Sequence, residues 1–592
     1  MQRVVVANRG EIARRIFRAC RELNIETVAI YAEGEEDARH VQEADDAYRV
    51  DRQSATHPYL DIESIITVAR RSEADAVHPG YGFLAENPAL AEACDVAGIV
   101  YVGPPAAATR AMGDKVEARA LAAAAGVPIV PGSDGAIGSG REALAWAEKH
   151  SFPIAIKAAG GGGGRGFRVA HSAGQVESAY AEARGEAERS FSNATIYAEQ
   201  YVSEPRHVEI QLFADGKGTV VSLGERECSI QRRHQKLIEE TPSTAVDVAL
   251  RHRMSDAAIS LAKKVQYAGA GTVEFLLDSE GNFYFLEMNT RIQVEHTITE
   301  MVTGIDLVKE QLRLASGMPL SFSADDVDPR GHAIECRINA EDVSRDFAPA
   351  PGQITEYREP SGFGVRIDSA IESGDEISPD YDSMIAKLVV WGRDRTEAIA
   401  RMQRALADFH IEGVPTTIPF HRAVMRNQAF QTGSTTTAFL VEQGGDLHIA
   451  EPPAIPPALS ESAAQDQVTR DLVVEVGGRR LQVRVHGVHG LQASGRNPSR
   501  PPRPPSSKRD RAAGGASGSN GADLISPVQG TVVQVHVEPG QTVSQGDPIL
   551  AIEAMKMENA ISAHRDGTVA AVHVKSGDSI KIGATLATIA EV

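Results

Sequence analysis

Residues 273–296, VEFLLDSEGNFYFLEMNTRIQVEH, concentrate side chains able to hold a metal and move a proton. Two strand-like runs flank SEGN, a polar turn containing glycine. If Asp278 pairs with Phe283 across a four-residue loop, Glu274 lies opposite Glu287. Like charges directly opposed across a ladder destabilise it. A hard divalent cation, Mg2+ or Mn2+, between the two carboxylates removes the conflict and also suits nucleotide phosphates. In an extended strand Asn289 shares a face with Glu287 and offers a third oxygen. The plain alternative is a hairpin with two solvated edge glutamates and no metal.

A second chemical stretch is FPIAIKAAGGGGGRGFRVAHS (152–172), with five consecutive glycines that include Gly163 and Gly164. Glycines let backbone N–H groups close on phosphates without Cβ obstruction. The FRVAH that follows is strand-like, so the loop joins a hairpin and is not a Rossmann turn; no Walker-type G-x-x-x-x-G-K-[ST] is present. A flexible linker is the alternative. Lys157 precedes the loop and can meet a phosphate as a point charge. The third stretch is EAMKMENA (553–560), which sets Lys556 between two methionines on what reads as an exposed turn. It is either a solvated surface lysine or a lysine modified by another enzyme.

The elements that must position these residues fall into several domains, as 592 residues imply. The first hundred residues alternate strands (4–7, 27–32, within 74–82) with helical spacing, which predicts a parallel sheet covered by helices. From 113 to 325 the pattern is mixed, and 326–447 continues as α+β, with strand-like HAIECRINA (332–340) and MIAKLVVWG (384–392). A small β region at 450–492 carries a hairpin signal around Gly477-Gly478. Residues 493–522 are basic and rich in Pro, Gly and Ser, a disordered linker in expectation. Roughly 30 such residues span about 30 Å, long enough to let a small domain move between sites. A nucleic-acid-binding tail is the alternative use of that charge.

Residues 523–592 repeat themselves. Gly530-Thr531 matches Gly567-Thr568, Val537 matches Val574, Gly540 matches Gly577 and Gly546 matches Gly583. Two copies of short strands with glycine turns predict a two-fold β-sandwich, and Lys556 falls at the junction, a natural hairpin tip.

The bulk numbers exclude some classes. A net charge of −20 and a pI near 5.4 argue against duplex nucleic acid or an anionic membrane as partner. No apolar run approaches the ~20 residues of a membrane span, and MQRVVVANRGEIARR lacks the apolar core of a secretion signal. Cys20, Cys94, Cys228 and Cys336 have neither metal nor disulfide spacing, which fits a reducing cytoplasm.

Residues 523–592 resemble the biotinyl domain of biotin-dependent carboxylases through Ala554-Met555-Lys556-Met557; a lipoyl domain shares the repeat but usually flanks its lysine with Asp and Ala. EMNTRIQVEH, the glycine loop, MGDKVEAR (112–119), SIQRRHQKLIEE (229–240), EPRHVEIQ, HAIECRINAED (332–342), NRGEIARRI (8–16) and HPGYGFLAEN (78–87) resemble biotin carboxylases of the ATP-grasp class. The resemblance implies an N-terminal αβ domain (1–112), an ATP-grasp domain (113–325, lid about 130–202), a C-terminal α+β domain (326–447) and an all-β biotinyl domain (523–592). It assigns ATP contacts to Lys115, Lys157, Gly163, Gly164, Glu199, Val202, His207, Gln231, His234, Glu274 and Glu287, and metal to Glu274, Glu287 and Asn289. Bicarbonate falls to Lys236, Arg291, Arg337 and the Val294 backbone. Glu295 is then the general base, Arg337 steadies the biotin ureido oxyanion, and a biotin protein ligase attaches biotin to Lys556. No carboxyltransferase domain is visible, so a separate β subunit is expected in a hetero-oligomer, as in the actinobacterial acetyl- and propionyl-CoA carboxylase α subunits. The 471–487 hairpin is expected to dock that partner.

Overall fold

The computed structural model describes residues 1–50, 57–133, 135–159, 166–191, 194–447, 470–476, 479–485, 522–527, 530–554, 557–581 and 583–590. The chain divides into two units, a large one built on Met1–Glu451 and a small one built mainly from Pro452 onward. No helix among the described residues is long and apolar enough to cross a membrane.

The large unit opens with a five-stranded parallel sheet, in the order Asp46–Arg49, Glu26–Tyr31, Arg3–Val6, Ala76–His78, Val100–Tyr101. The central strand is apolar throughout because helices cover both faces: Val4 and Val6 enter one core, Val5 the other. The expected βαβ alternation is present, with two further strands, Asp46–Arg49 and Val100–Tyr101. The first is half-buried and polar and the second only two residues long, so neither has a clear apolar signature.

An eight-stranded antiparallel sheet follows. Its order is Phe283–Asn289, Ala268–Leu277, Arg206–Asp215, Val220–Arg232, Gln235–Thr241, His332–Asn339, Met384–Gly392, Val365–Ser369. Strands from residues 206–289 and from residues 332–392 share it, joined where Gln235–Thr241 pairs with His332–Asn339. A separate three-stranded sheet (Phe167–Ala170, Ile154–Ala158, Ile196–Gln200) is backed by the helices Gly140–His150 and Val176–Phe191. Gly166 immediately precedes its return strand at φ +69°, where a Cβ would lie 2.6 Å from that of Ala158, so the chain needs glycine there.

In the small unit, Arg470–Val476 and Arg479–Val485 pair as an antiparallel hairpin. Two four-stranded sheets then form the sandwich: Asp523–Ile525, Thr585–Ala590, Gly567–Val572, Thr542–Val543, and Met557–Ser562, Pro548–Ala554, Gly530–Val535, Ser579–Ile580. Exchanging the first half of the repeat for the second converts one strand order into the other, which is the two-fold symmetry read from the sequence. Val532, Ile549, Ile552, Val569, Leu586 and Ile589 fill the space between the sheets.

Candidate active site

The metal hairpin closes differently from the sequence expectation. Leu277, not Asp278, pairs with Phe283, and Asp278 caps the five-residue turn by accepting from the backbone N–H groups of Glu280 (2.9 Å) and Asn282 (2.8 Å). A one-residue bulge at Leu286 then shifts the register, so Glu274 still faces Glu287. The bulge matters because Phe285 belongs to the core; without the extra residue, Glu287 would follow it to that face.

Across four neighbouring strands Arg226, Glu209, Glu274 and Glu287 stand side by side in one row. The Lys236 ammonium sits among three carboxylates, 2.6 Å from Glu209, 2.9 Å from Glu274 and 2.7 Å from Glu295. Glu295 also accepts from Arg337 (3.0 Å) and faces the Cys228 thiol at 3.8 Å. It is fully buried and does not open into the cavity described below. Burial alone would raise its pKa, but Lys236, Arg337 and Arg226 outweigh it and hold the carboxylate well below the usual range. Glu274 is likewise pushed up by burial and pulled well down by Lys236 and His207. Burial opposes charge on Lys236, yet Glu209, Glu274 and Glu295 hold its ammonium well above its ordinary value.

A cavity of about 650 Å3 opens over this floor, within the large unit. Lys115, Lys157, Glu199, Val202, His207, Gln231, His234, Lys236, Glu274, Glu287, Asn289, Arg291, Val294 and Arg337 all line it. Lys157 pairs with Glu199, which also takes Arg119 at 3.3 Å, while Lys115 lies 3.5 Å from Glu287. His207 lies 3.1 Å from Glu274 and bonds Gln231 at 2.9 Å. Burial and the nearby Lys157, His207 and Lys115 lower the pKa of His234. Arg291 is aimed by Glu86 (3.1 Å), Asn289 (3.0 Å) and Gln293 (2.6 Å). The Val294 carbonyl accepts from the buried Lys387 at 3.1 Å. Gly163, Gly164 and Lys556 lie outside the described residues.

Glu209, Arg226, Glu239, Glu335, Lys387 and Glu86 were missed from sequence. Glu209 carries no sequence signal: in RHVEIQLFAD polar His207, Glu209 and Gln211 alternate with Val208, Ile210 and Leu212 as in a half-solvated strand, yet both sets are buried.

Known proteins resemble this chain in sequence and fold. Residues 1–109 match the biotin carboxylase N-terminal domain, and 114–323 the ATP-binding domain of the carbamoyl-phosphate synthase L chain. Residues 335–442 match the biotin carboxylase C-terminal domain and 522–589 the biotin-requiring enzyme model. Biotin carboxylase 1 of Bacillus subtilis is 52% identical over 74% of this chain and 98% of its own length. The chain belongs to the biotin carboxylase family. It joins an ATP-dependent biotin carboxylase to a biotin carrier domain, so biotin is its prosthetic group and ATP its nucleotide. The biotin-dependent acyl-coenzyme A carboxylase alpha3 subunit of Mycobacterium leprae is 43% identical over 99% of this chain and 98% of its own. The biotin carboxylase domain of Hydrogenobacter thermophilus 2-oxoglutarate carboxylase, solved with MgADP, ADP and bicarbonate, superimposes with a TM-score of 0.73. It is 46% identical, covering 76% of this chain and 99% of that one. The site fits magnesium: Glu274, Glu287 and Asn289 offer hard oxygen donors on one patch of sheet, next to lysines suited to phosphates.

Proposed function

We propose that this chain is the α subunit of an acyl-CoA carboxylase, with acetyl-CoA or propionyl-CoA as final acceptor. It works with a separate carboxyltransferase β subunit, and a biotin protein ligase loads Lys556. The carrying observation is the Mycobacterium leprae relative, which matches from end to end, fused carrier included. The hairpin Arg470–Val476 and Arg479–Val485 docks the β subunit; deleting 450–492 should abolish co-purification while sparing carboxylation of free biotin.

In this reading ATP lies in the 650 Å3 cavity with its phosphates toward Lys115, Lys157 and Gly166. Glu274, Glu287 and Asn289 hold magnesium, which offsets charge on the transferred phosphoryl group. Bicarbonate sits between Arg291, Lys236, Arg337 and the Val294 backbone.

The ion pairs explain how Glu295 becomes a base. With Lys236 and Arg337 both on its carboxylate, its proton affinity is too low for the task. Bicarbonate draws these cations onto its own oxygens. Each cation withdrawn raises the proton affinity of Glu295 and uncovers its carboxylate toward the cavity, so that it takes the bicarbonate proton and leaves a better nucleophile, which attacks the γ-phosphate and expels ADP. The carboxyphosphate so formed would break down to CO2 and phosphate; biotin, when bound, would supply the ureido nitrogen that takes up the CO2 as the phosphate takes its proton. Arg337 holds the negative charge that gathers on the ureido oxygen.

The test is an acyl-CoA panel with labelled bicarbonate and the co-purified β subunit. Label in malonyl- or methylmalonyl-CoA supports the reading. Label appearing only in the carboxylated product of pyruvate or of methylcrotonyl-CoA would assign the chain to another biotin-dependent carboxylase.

A further inference from the structure

Behind Arg337 the eight-stranded sheet holds a second pair of acids with no assigned role. Glu239 on Gln235–Thr241 stands directly opposite Glu335 on His332–Asn339, in unbroken register between Ile238–Cys336 and Glu240–Ile334. Both side chains are fully buried. One oxygen of each is satisfied. Glu239 Oε1 accepts from Arg337 Nε at 2.6 Å, and Glu335 Oε2 accepts from the Thr297 hydroxyl. The other oxygen of each, Glu239 Oε2 and Glu335 Oε1, finds no hydrogen-bond donor among the described residues.

Two ionised carboxylates cannot stand opposed and dry in this way. One proton between them resolves both defects at once, because a carboxylic acid supplies the donor that the facing carboxylate lacks. We propose that Glu239 and Glu335 share a single proton and act together as a positioning dyad for Arg337. The proton keeps the dyad at one negative charge. Arg337 therefore divides its guanidinium between Glu239 (2.5 Å) and Glu295 (3.0 Å), and keeps net positive field for the cavity. Loss of the shared proton would give the dyad a second charge and draw Arg337 back from the substrate.

The surroundings agree. Arg337, Glu295 and Lys236 act on Glu239, and Glu239, Lys387, Arg337 and Thr297 act on Glu335. Burial pushes Glu239 up to about 7, against Arg337, and pushes Glu335 well above the carboxylate range. As a coupled pair they lose protons in two steps that belong to both.

This inference rests on the role given to Arg337, but its first test does not. Difference infrared spectra of the full chain near neutral pH should show a buried protonated-carboxyl C=O band that shifts in D2O. Glu335→Gln and Glu239→Gln should each shift or remove it, because either change breaks the hydrogen bond between the two acids. Absence of the band, or a band unchanged in either variant, overturns the shared proton. The second test is the pH dependence of kcat/KM for free biotin. Wild type should lose activity through one ionisation on the alkaline side, and Glu335→Gln, unable to gain a second negative charge, should lack that ionisation. Glu239→Gln should lower kcat/KM by about ten- to a hundredfold, the loss from weakening a charged hydrogen bond to a buried guanidinium. An infrared band together with an unchanged pH profile in Glu335→Gln would leave the proton in place and overturn its role in positioning Arg337.

Discussion

The eight-stranded sheet and the carrier sandwich are both antiparallel β-structure, and they bury opposite things. At the centre of the first lie Glu209, Arg226, Glu239 and Glu335, with Glu295 at the start of the helix packed on it, all essentially without solvent exposure. Between the sheets of the second lie Val532, Ile549, Ile552, Val569, Leu586 and Ile589, and Ser526 is the one buried polar side chain among its described residues. Buried ion pairs contribute little net stability because desolvation consumes most of the Coulombic gain. Apolar burial contributes roughly 1.5–3 kcal/mol per side chain. The carboxylase sheet therefore gives up stability to hold charge in fixed places, whereas the carrier sandwich is held together by apolar burial. Each region should break in its own way.

The largest effect falls on chemistry. Glu295→Gln should lower bicarbonate-dependent ATP hydrolysis by roughly 10²–10⁴-fold, the usual weight of a general base. The glutamine fills the same volume, so thermal unfolding of the large unit should stay cooperative. Loss of activity together with loss of that transition would mean that Glu295 is a structural residue.

Lys236→Met tests the charged floor as structure. It leaves Glu209, Glu274 and Glu295 facing one another without their central cation. The large unit should lose about 3–5 kcal/mol in denaturant melts, as when one partner of a buried ion pair is removed. An unchanged midpoint would show that the carboxylates find other cations.

Leu586→Ala is the counterpart in the sandwich, where the leucine is fully buried. It should cost about 2–5 kcal/mol and reduce biotinylation, while carboxylation of added free biotin stays at the wild-type rate. A fall in the free-biotin reaction would contradict the independence of the two regions.

Acid sharpens the contrast more gently. Glu295, Glu274 and Asp368 are pushed up by burial but held low in the folded state by Lys236, Arg337, His207, Arg366 and Lys387. Their stabilisation is complete above the unfolded carboxylate values near 4 and is lost as pH falls toward the folded ones. Calorimetry should show the carboxylase transition dropping below about pH 4.5 while the apolar carrier core changes less. Parallel decline of both transitions would count against the contrast.

Much of this was legible in the sequence, for uneven reasons. The carrier's repeat dictated its symmetry, because matched glycine turns force matched strands. The Glu274–Glu287 opposition was foreseen from alternation, but through the wrong turn: Asp278 caps the loop, and the bulge at Leu286 restores the facing pair. No local pattern announces a bulge. Glu239 and Glu335 were invisible for a different reason. Polar residues at alternate strand positions ordinarily face water, and only the stacking of Gln235–Thr241 on His332–Asn339 beneath the helix His296–Thr303 makes them buried and opposed.

The central claim is that one polypeptide both activates bicarbonate and carries the group that receives it. The direct measurement supplies the purified, biotin-loaded chain with ATP, Mg2+ and labelled bicarbonate, with no second protein present. The account predicts acid-labile label bound to the chain itself, absent in Lys556→Ala and in Glu295→Gln. A loaded chain that hydrolyses no ATP and takes up no label under these conditions would contradict it.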